Sequence, residues 1–310
     1  MLLPARRWAV LAAAVCLLAA TRAGAQPVRC NAEVDQALAR ANGAPQKDVA
    51  AELDKALAVL DKAVGDDESA ECHRLLGFAL KWRAHVGRLP EGAQRGLLRF
   101  ALTQLELAIE KDPGDVRAWE LKAEVEEELG LYLEGAGTYN ALAWARPKHP
   151  FARGARVRLL VKAGKLEEAL AAAREWVAAQ PNDWEAHLGL GLRLEALGQT
   201  EEAIAAYSRA TALDEGIDTA PLALGALLAR LGRWKEAEAA FEKVAAVEYL
   251  LGWYSQGVCR VKQGDAKGAR AWVTKLGSED GGGALARRLK ALIKSPGTSP
   301  VLGLPAYAEP

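Results

Sequence analysis

The side chains with the most obvious chemistry are four histidines, His73, His85, His149 and His187, and four cysteines, Cys16, Cys30, Cys72 and Cys259. None stands at the H-E-x-x-H or C-x-x-C spacing that brings ligands onto one metal ion, so no metal is expected. Cys72 and His73 have the types of a nucleophile and its base, but adjacent residues on a helix point about 100° apart. The run Gly189-Leu190-Gly191-Leu192-Arg193-Leu194 begins like a dinucleotide loop, yet it lies inside a helical pattern and follows no strand. Carboxylates cluster at Asp66-Asp67-Glu68 and at Glu124, Glu126, Glu127 and Glu128. Acid–base catalysis needs two of them converging in a cleft with separated pKa values, whereas solvated charge accounts for such runs on a helix. With neither a G-x-S-x-G elbow nor a phosphate-binding loop, the expectation is a protein that is not an enzyme and takes no cofactor.

The elements that carry these residues come from a chain of 310 residues, 51% apolar and 26% charged, with 40 Lys and Arg against 40 Asp and Glu. That balance argues against a disordered chain, a nucleic-acid binder and a small disulfide scaffold. The N-terminus reads as a secretory leader over residues 1–25: Arg6 and Arg7, an apolar run from Trp8 to Ala20, and Ala23-Gly24-Ala25 before Gln26. Cleavage after Ala25 would leave a periplasmic or secreted protein with 37 basic and 40 acidic residues. The apolar run is too short to cross a bilayer, and membrane contact is not expected. Three cysteines would then remain. A Cys30–Cys72 bridge would close a loop of about 43 residues and contribute roughly 4 kcal/mol in the chain-entropy model; export permits the bridge without requiring it. Cys259, between Val258 and Val261, reads as a small buried apolar residue.

The glycines at 130, 164, 198, 232 and 264 recur at steps of 34, 34, 34 and 32. Five residues after each stands a small residue: Gly135, Ala169, Ala203, Ala237 and Ala269. Pro113, Pro147 and Pro181 keep the same 34-residue step. A pair of antiparallel helices per repeat explains the pattern. The glycine ends the first helix in the left-handed conformation, the small residue lets the second helix come close, and the proline stops it.

On Leu190, Gly191, Leu194, Ala203, Tyr207 and Ala210, on Leu224, Gly225, Ala237 and Phe241, and on Trp119, Tyr139 and Pro147, the chain resembles a tetratricopeptide repeat (TPR) protein. The resemblance implies an all-α, right-handed α-solenoid of about six to seven helix-turn-helix repeats. Residues 26–69 are expected to form an N-terminal helical cap or degenerate repeat, with amphipathic patterns over Val34–Ala41 and Val49–Val64. The array is expected over 70–277, its first repeat interrupted near 81–95 by about twelve extra residues around Gly87–Gly92. Residues 278–294 read as a linker and a capping helix, and 295–310 as a disordered Pro-rich tail. Lys122 and Glu126 depart from the family pattern, which has Leu and Tyr there, and suggest a shifted helix register.

The resemblance places first helices on the concave face of such an array. Arg117, Glu120, Glu124, Glu127 and Glu128 would line it in one repeat and Arg158 and Lys162 in the next; Leu188, Leu192, Leu222 and Tyr254 would make it more apolar further along. Ion pairing between neighbouring repeats is one use for these charges; orienting an extended peptide is the other. The expected function is a non-catalytic scaffold in the periplasm or cell envelope that binds a protein or peptide partner, with no nucleic acid. The alternative is an accessory subunit of an enzyme complex acting on the cell wall or envelope. The sequence leaves the oligomeric state open.

Overall fold

The computed structural model describes residues 32–66, 69–214, 216, 218–244 and 249–297. Among them are fifteen helices and no strand. The chain divides into two compact units, Met1–Leu159 and Leu160–Pro310. The first holds α1 (Ala32–Gly43), α2 (Val49–Asp66), α3 (Ala70–His85), α4 (Glu91–Lys111), α5 (Val116–Glu128), α6 (Tyr132–Ala145) and most of α7 (Ala152–Lys162). The second holds α8 (Leu166–Ala179), α9 (Trp184–Ala196), α10 (Thr200–Leu213), α11 (Thr219–Arg230), α12 (Trp234–Glu242), α13 (Tyr249–Lys262), α14 (Ala266–Ser278) and α15 (Gly283–Lys294). From α1 to α6, and again from α8 to α15, each helix packs on the next, as in stacked helical hairpins, and α15 also closes against α13. The leader over 1–25 and the tail beyond residue 297 lie outside the described residues.

Local chemistry sets the helix ends. Asp115 and Asp183 accept hydrogen bonds from backbone N–H groups in the first turns of α5 and α9, satisfying donors that have no partner inside the helix. At the other end, Gly130, Gly164, Gly198, Gly232 and Gly264 have φ between 72° and 83°. The residue after each returns its N–H to a carbonyl five residues back, for example Leu131 to Glu126 at 2.8 Å and Gln199 to Leu194 at 2.8 Å. This is the left-handed helix stop that the 34-residue spacing requires, and it turns the chain into the second helix of each pair.

Small residues set the spacing between the paired helices. A Cβ at Gly191 would stand 2.5 Å from the Tyr207 ring, and one at Gly225 would stand 2.6 Å from the Phe241 ring. Tyr207 and Phe241 are buried in the core of the second unit together with Leu194, Leu227 and Leu228. The core of the first unit gathers Leu60, Leu76, Leu80, Leu105 and Val125.

The extra residues near 81–95 lengthen a helix: only Val86–Pro90 separates α3 from α4, and α4 has 21 residues where α6, α8 and α10 have 14. Lys122 and Glu126 do not shift the register, since Ala123 keeps the buried place in phase with Gly191. Instead Lys122 bonds Glu126, and Thr138 of α6 donates to Glu126 at 2.7 Å, so a buried polar triad fills the space of two apolar side chains.

Candidate functional site

In the first unit the charged side chains of α3, α5 and α7 form a ladder of ion pairs. Lys81 of α3 pairs with Glu124 of α5 and lies 3.5 Å from Glu128, which also meets His85 at 2.7 Å. Arg158 of α7 returns to α5, where its two terminal nitrogens engage the two oxygens of Glu127. Glu120 is held by Arg117 and His149, each at 3.1 Å. Arg117, Glu120, Glu124, Glu127, Glu128 and Arg158 each face a partner of opposite charge. Beneath them Tyr139 of α6 has its phenol pushed up to about 12, by burial first and then by Glu124. Inter-repeat pairing accounts for this geometry. It also makes the face a rigid row of fixed charges, because every long side chain is tied at its tip.

In the second unit the expected residues separate. Leu188 and Leu192 of α9 are half-buried against the core, and Lys162 at the end of α7 is exposed. Leu222 and Tyr254 are buried, at 2% and 4% exposure, so they pack between helices and present no binding surface. The neighbouring polar contacts tie helices together: within one hairpin Tyr207 of α10 donates to Glu195 of α9 at 2.7 Å, and Arg230 of α11 pairs with the same carboxylate from the next repeat.

The candidate nucleophile and base are used structurally. Cys72 is disulfide-bonded, while Cys30, its expected partner, lies outside the described residues. His73 is buried with Nδ1 2.8 Å from the Gln104 amide oxygen. Cys259 is a free, buried cysteine whose thiol is pushed up to about 12 by burial. Among the described residues no group of three or more His, Cys, Asp and Glu could hold a metal ion, and no helix is long and apolar enough to cross a membrane.

Two features escaped the sequence reading. Trp144 is 80% exposed. Arg193 is 8% exposed, and its Nε is buried without a hydrogen-bond partner. The in-phase residues of the other hairpins are Ala79, Val125, Leu159, Leu227 and Cys259, all buried. That repeat phase was the signal that could have singled Arg193 out.

The TPR_16 tetratricopeptide repeat family model matches residues 93–150, 155–216 and 222–283. Among solved structures, MamA from Desulfovibrio magneticus is 25% identical over 56% of this chain and 93% of its own, with a TM-score of 0.42. YrrB, described as a TPR protein with an unusual peptide-binding site, is 20% identical over 60% of this chain and 90% of its own, at a TM-score of 0.42. A tetratricopeptide repeat protein from Parabacteroides merdae is 16% identical over 85% of this chain and all of its own, at 0.46. None of the curated proteins matches. Three tandem matches over more than half of the chain, on the helix pairs whose glycine stops and close contacts are described above, make it a member of the tetratricopeptide repeat family.

Proposed function

We propose that this chain is a non-catalytic scaffold of the periplasm or cell envelope, and that the first-helix face of its N-terminal unit receives an extended segment of a partner protein. TPR proteins are generally protein-interaction scaffolds. The observation that carries the finer reading is the tied ladder of Lys81, Glu124, Glu128, Glu127 and Arg158. Its charges are fixed before any partner arrives, so a bound segment need not immobilise them. Half-buried Leu188 and Leu192 offer apolar anchorage on the corresponding face of the second unit. The disulfide at Cys72 supports an oxidising compartment, in keeping with the leader-like sequence of residues 1–25.

The test is capture of partners from an envelope fraction by the purified protein, in parallel with two variants. Lys81→Glu with Glu124→Lys swaps a pair and keeps it neutral; Glu124→Lys with Arg158→Glu sets like charges against Lys81 and Glu127. Far-UV circular dichroism reports whether each remains helical. A protein held by the parent and lost from the helical swap variant supports binding on this face. Identical captures from both would sink it.

A further inference from the structure

We propose that the outer face of α6 and the loop joining it to α7 seat on an anionic membrane surface. Leu133, Trp144 and Phe151 are 47%, 80% and 67% exposed. On α6, Leu133, Gly137, Asn140 and Trp144 follow one another at i, i+4, i+7 and i+11, a single stripe about 16 Å long at 1.5 Å per residue. A Cβ at Gly137 would meet nothing within 4 Å, so none of the described residues covers the stripe there. Glu134, the one charged residue of α6, stands about 100° round from Leu133.

The loop is built to hold its rings outward. His149 Nδ1 accepts the backbone N–H groups of Phe151 and Ala152, at 3.4 and 3.2 Å, which leaves its Nε2–H to donate to Glu120 at 3.1 Å. The His149 and Phe151 rings meet edge to face at 6.3 Å. Arg153 donates to the Pro147 carbonyl at 2.6 Å, and Arg146 to the Gly114 carbonyl at 3.1 Å. Trp144 and Phe151 are thus presented by a loop tied at four points, and its ordering has already been met by folding.

Charge selects the occupant. Between Gly135 and Arg156 there is no acidic residue, whereas Arg146, Lys148, Arg153 and Arg156 are basic. Arg146 and Lys148 are exposed beside the two bare rings. Aromatic and aliphatic groups flanked by Lys and Arg match a bilayer interface with anionic headgroups, where rings sit at headgroup depth and cations meet phosphates. Rings this bare form no pocket of their own, so a protein partner would have to supply both a pocket and the acids. A lipid surface supplies apolar depth and negative charge without a complementary shape. No spanning helix is needed for such contact.

The experiment is co-sedimentation of the full chain with vesicles of phosphatidylcholine containing about 30% phosphatidylglycerol, and with pure phosphatidylcholine. Residues 1–25 are common to all forms, so the readout is the difference between forms. Trp144→Ala with Phe151→Ala is expected to lower binding to the anionic vesicles by about ten-fold. Lys148→Glu should lower it several-fold and weaken its salt dependence. All forms should match in thermal melting, because the side chains changed are exposed; the single variant Trp144→Ala, judged by loss of a vesicle-induced blue shift in tryptophan emission, serves if a double variant misfolds. No binding by the parent chain, or equal binding by parent and variants, overturns the proposal. Loss of a captured protein from the Trp144 variant, with no vesicle binding by the parent, overturns it in favour of a protein partner.

Discussion

Arg158 of α7 and Glu127 of α5 meet through paired hydrogen bonds, with Nη2 to Oε2 at 2.8 Å, joining two first helices that are separated in the chain by the whole of α6. Both side chains are partly screened by water, so the pair is worth far less than a dry one. A double-mutant cycle with Glu127→Gln and Arg158→Gln should give a coupling of about 1 kcal/mol by urea unfolding, diminishing with salt. A coupling near zero would remove the pair as a link between repeats.

The triad of Lys122, Glu126 and Thr138 behaves differently because Glu126 is nearly inaccessible. Lys122→Leu strands a buried carboxylate and should cost about 3 kcal/mol. Lys122→Leu with Glu126→Leu removes both charges, leaves Thr138 as the remaining polar group, and should recover most of that loss. Equal destabilisation by the single and double variants would mean that shape, not charge, governs the site.

Arg193 interrupts a run of buried apolar residues in phase. Desolvation lowers its pKa, and the buried Nε lacks a hydrogen-bond acceptor. Arg193→Leu, which copies Leu227 of the next hairpin, should stabilise the second unit by about 1–3 kcal/mol and raise its melting temperature. A lowered melting temperature would show that the guanidinium packs better than the missing contact suggests.

Buried acids set the alkaline limit. Burial pushes Cys259 from 9.0 and Tyr139 from 10.0 up to about 12, and raises Tyr207 and Tyr254 as well. The folded chain then keeps protons that the unfolded chain gives up, so stability is fully present below about pH 9 and is lost as pH rises through about 12. Melting temperature should be level from neutral pH to about 9 and fall above it, with the phenolate absorbance of Tyr139 and Tyr207 appearing only as the chain unfolds. Cys259 should resist alkylation at pH 8 until denaturant opens the core. Rapid labelling in the folded state would contradict its burial.

The repeat was legible in the sequence because its parts are local. A glycine stop, an aspartate cap and the 3.6-residue periodicity act within a few residues of themselves, so Gly130, Gly164, Gly198, Gly232 and Gly264 marked the helix ends and Lys81 could be no part of the reading until α3 and α5 were stacked. Pro90 shows the limit on the local side: it looked like the middle of an insertion, but proline fits a helix start, and α4 begins just after it. Of the candidate site, the charges on α5 and α7 were visible by repeat phase, yet which carboxylate meets which cation depends on neighbouring helices. Leu222 and Tyr254 have the residue types of a groove floor and are buried; Trp144 has that of a core residue and stands in water. Exposure belongs to the packed arrangement, since the same apolar side chain is core where another helix covers it and surface where none does.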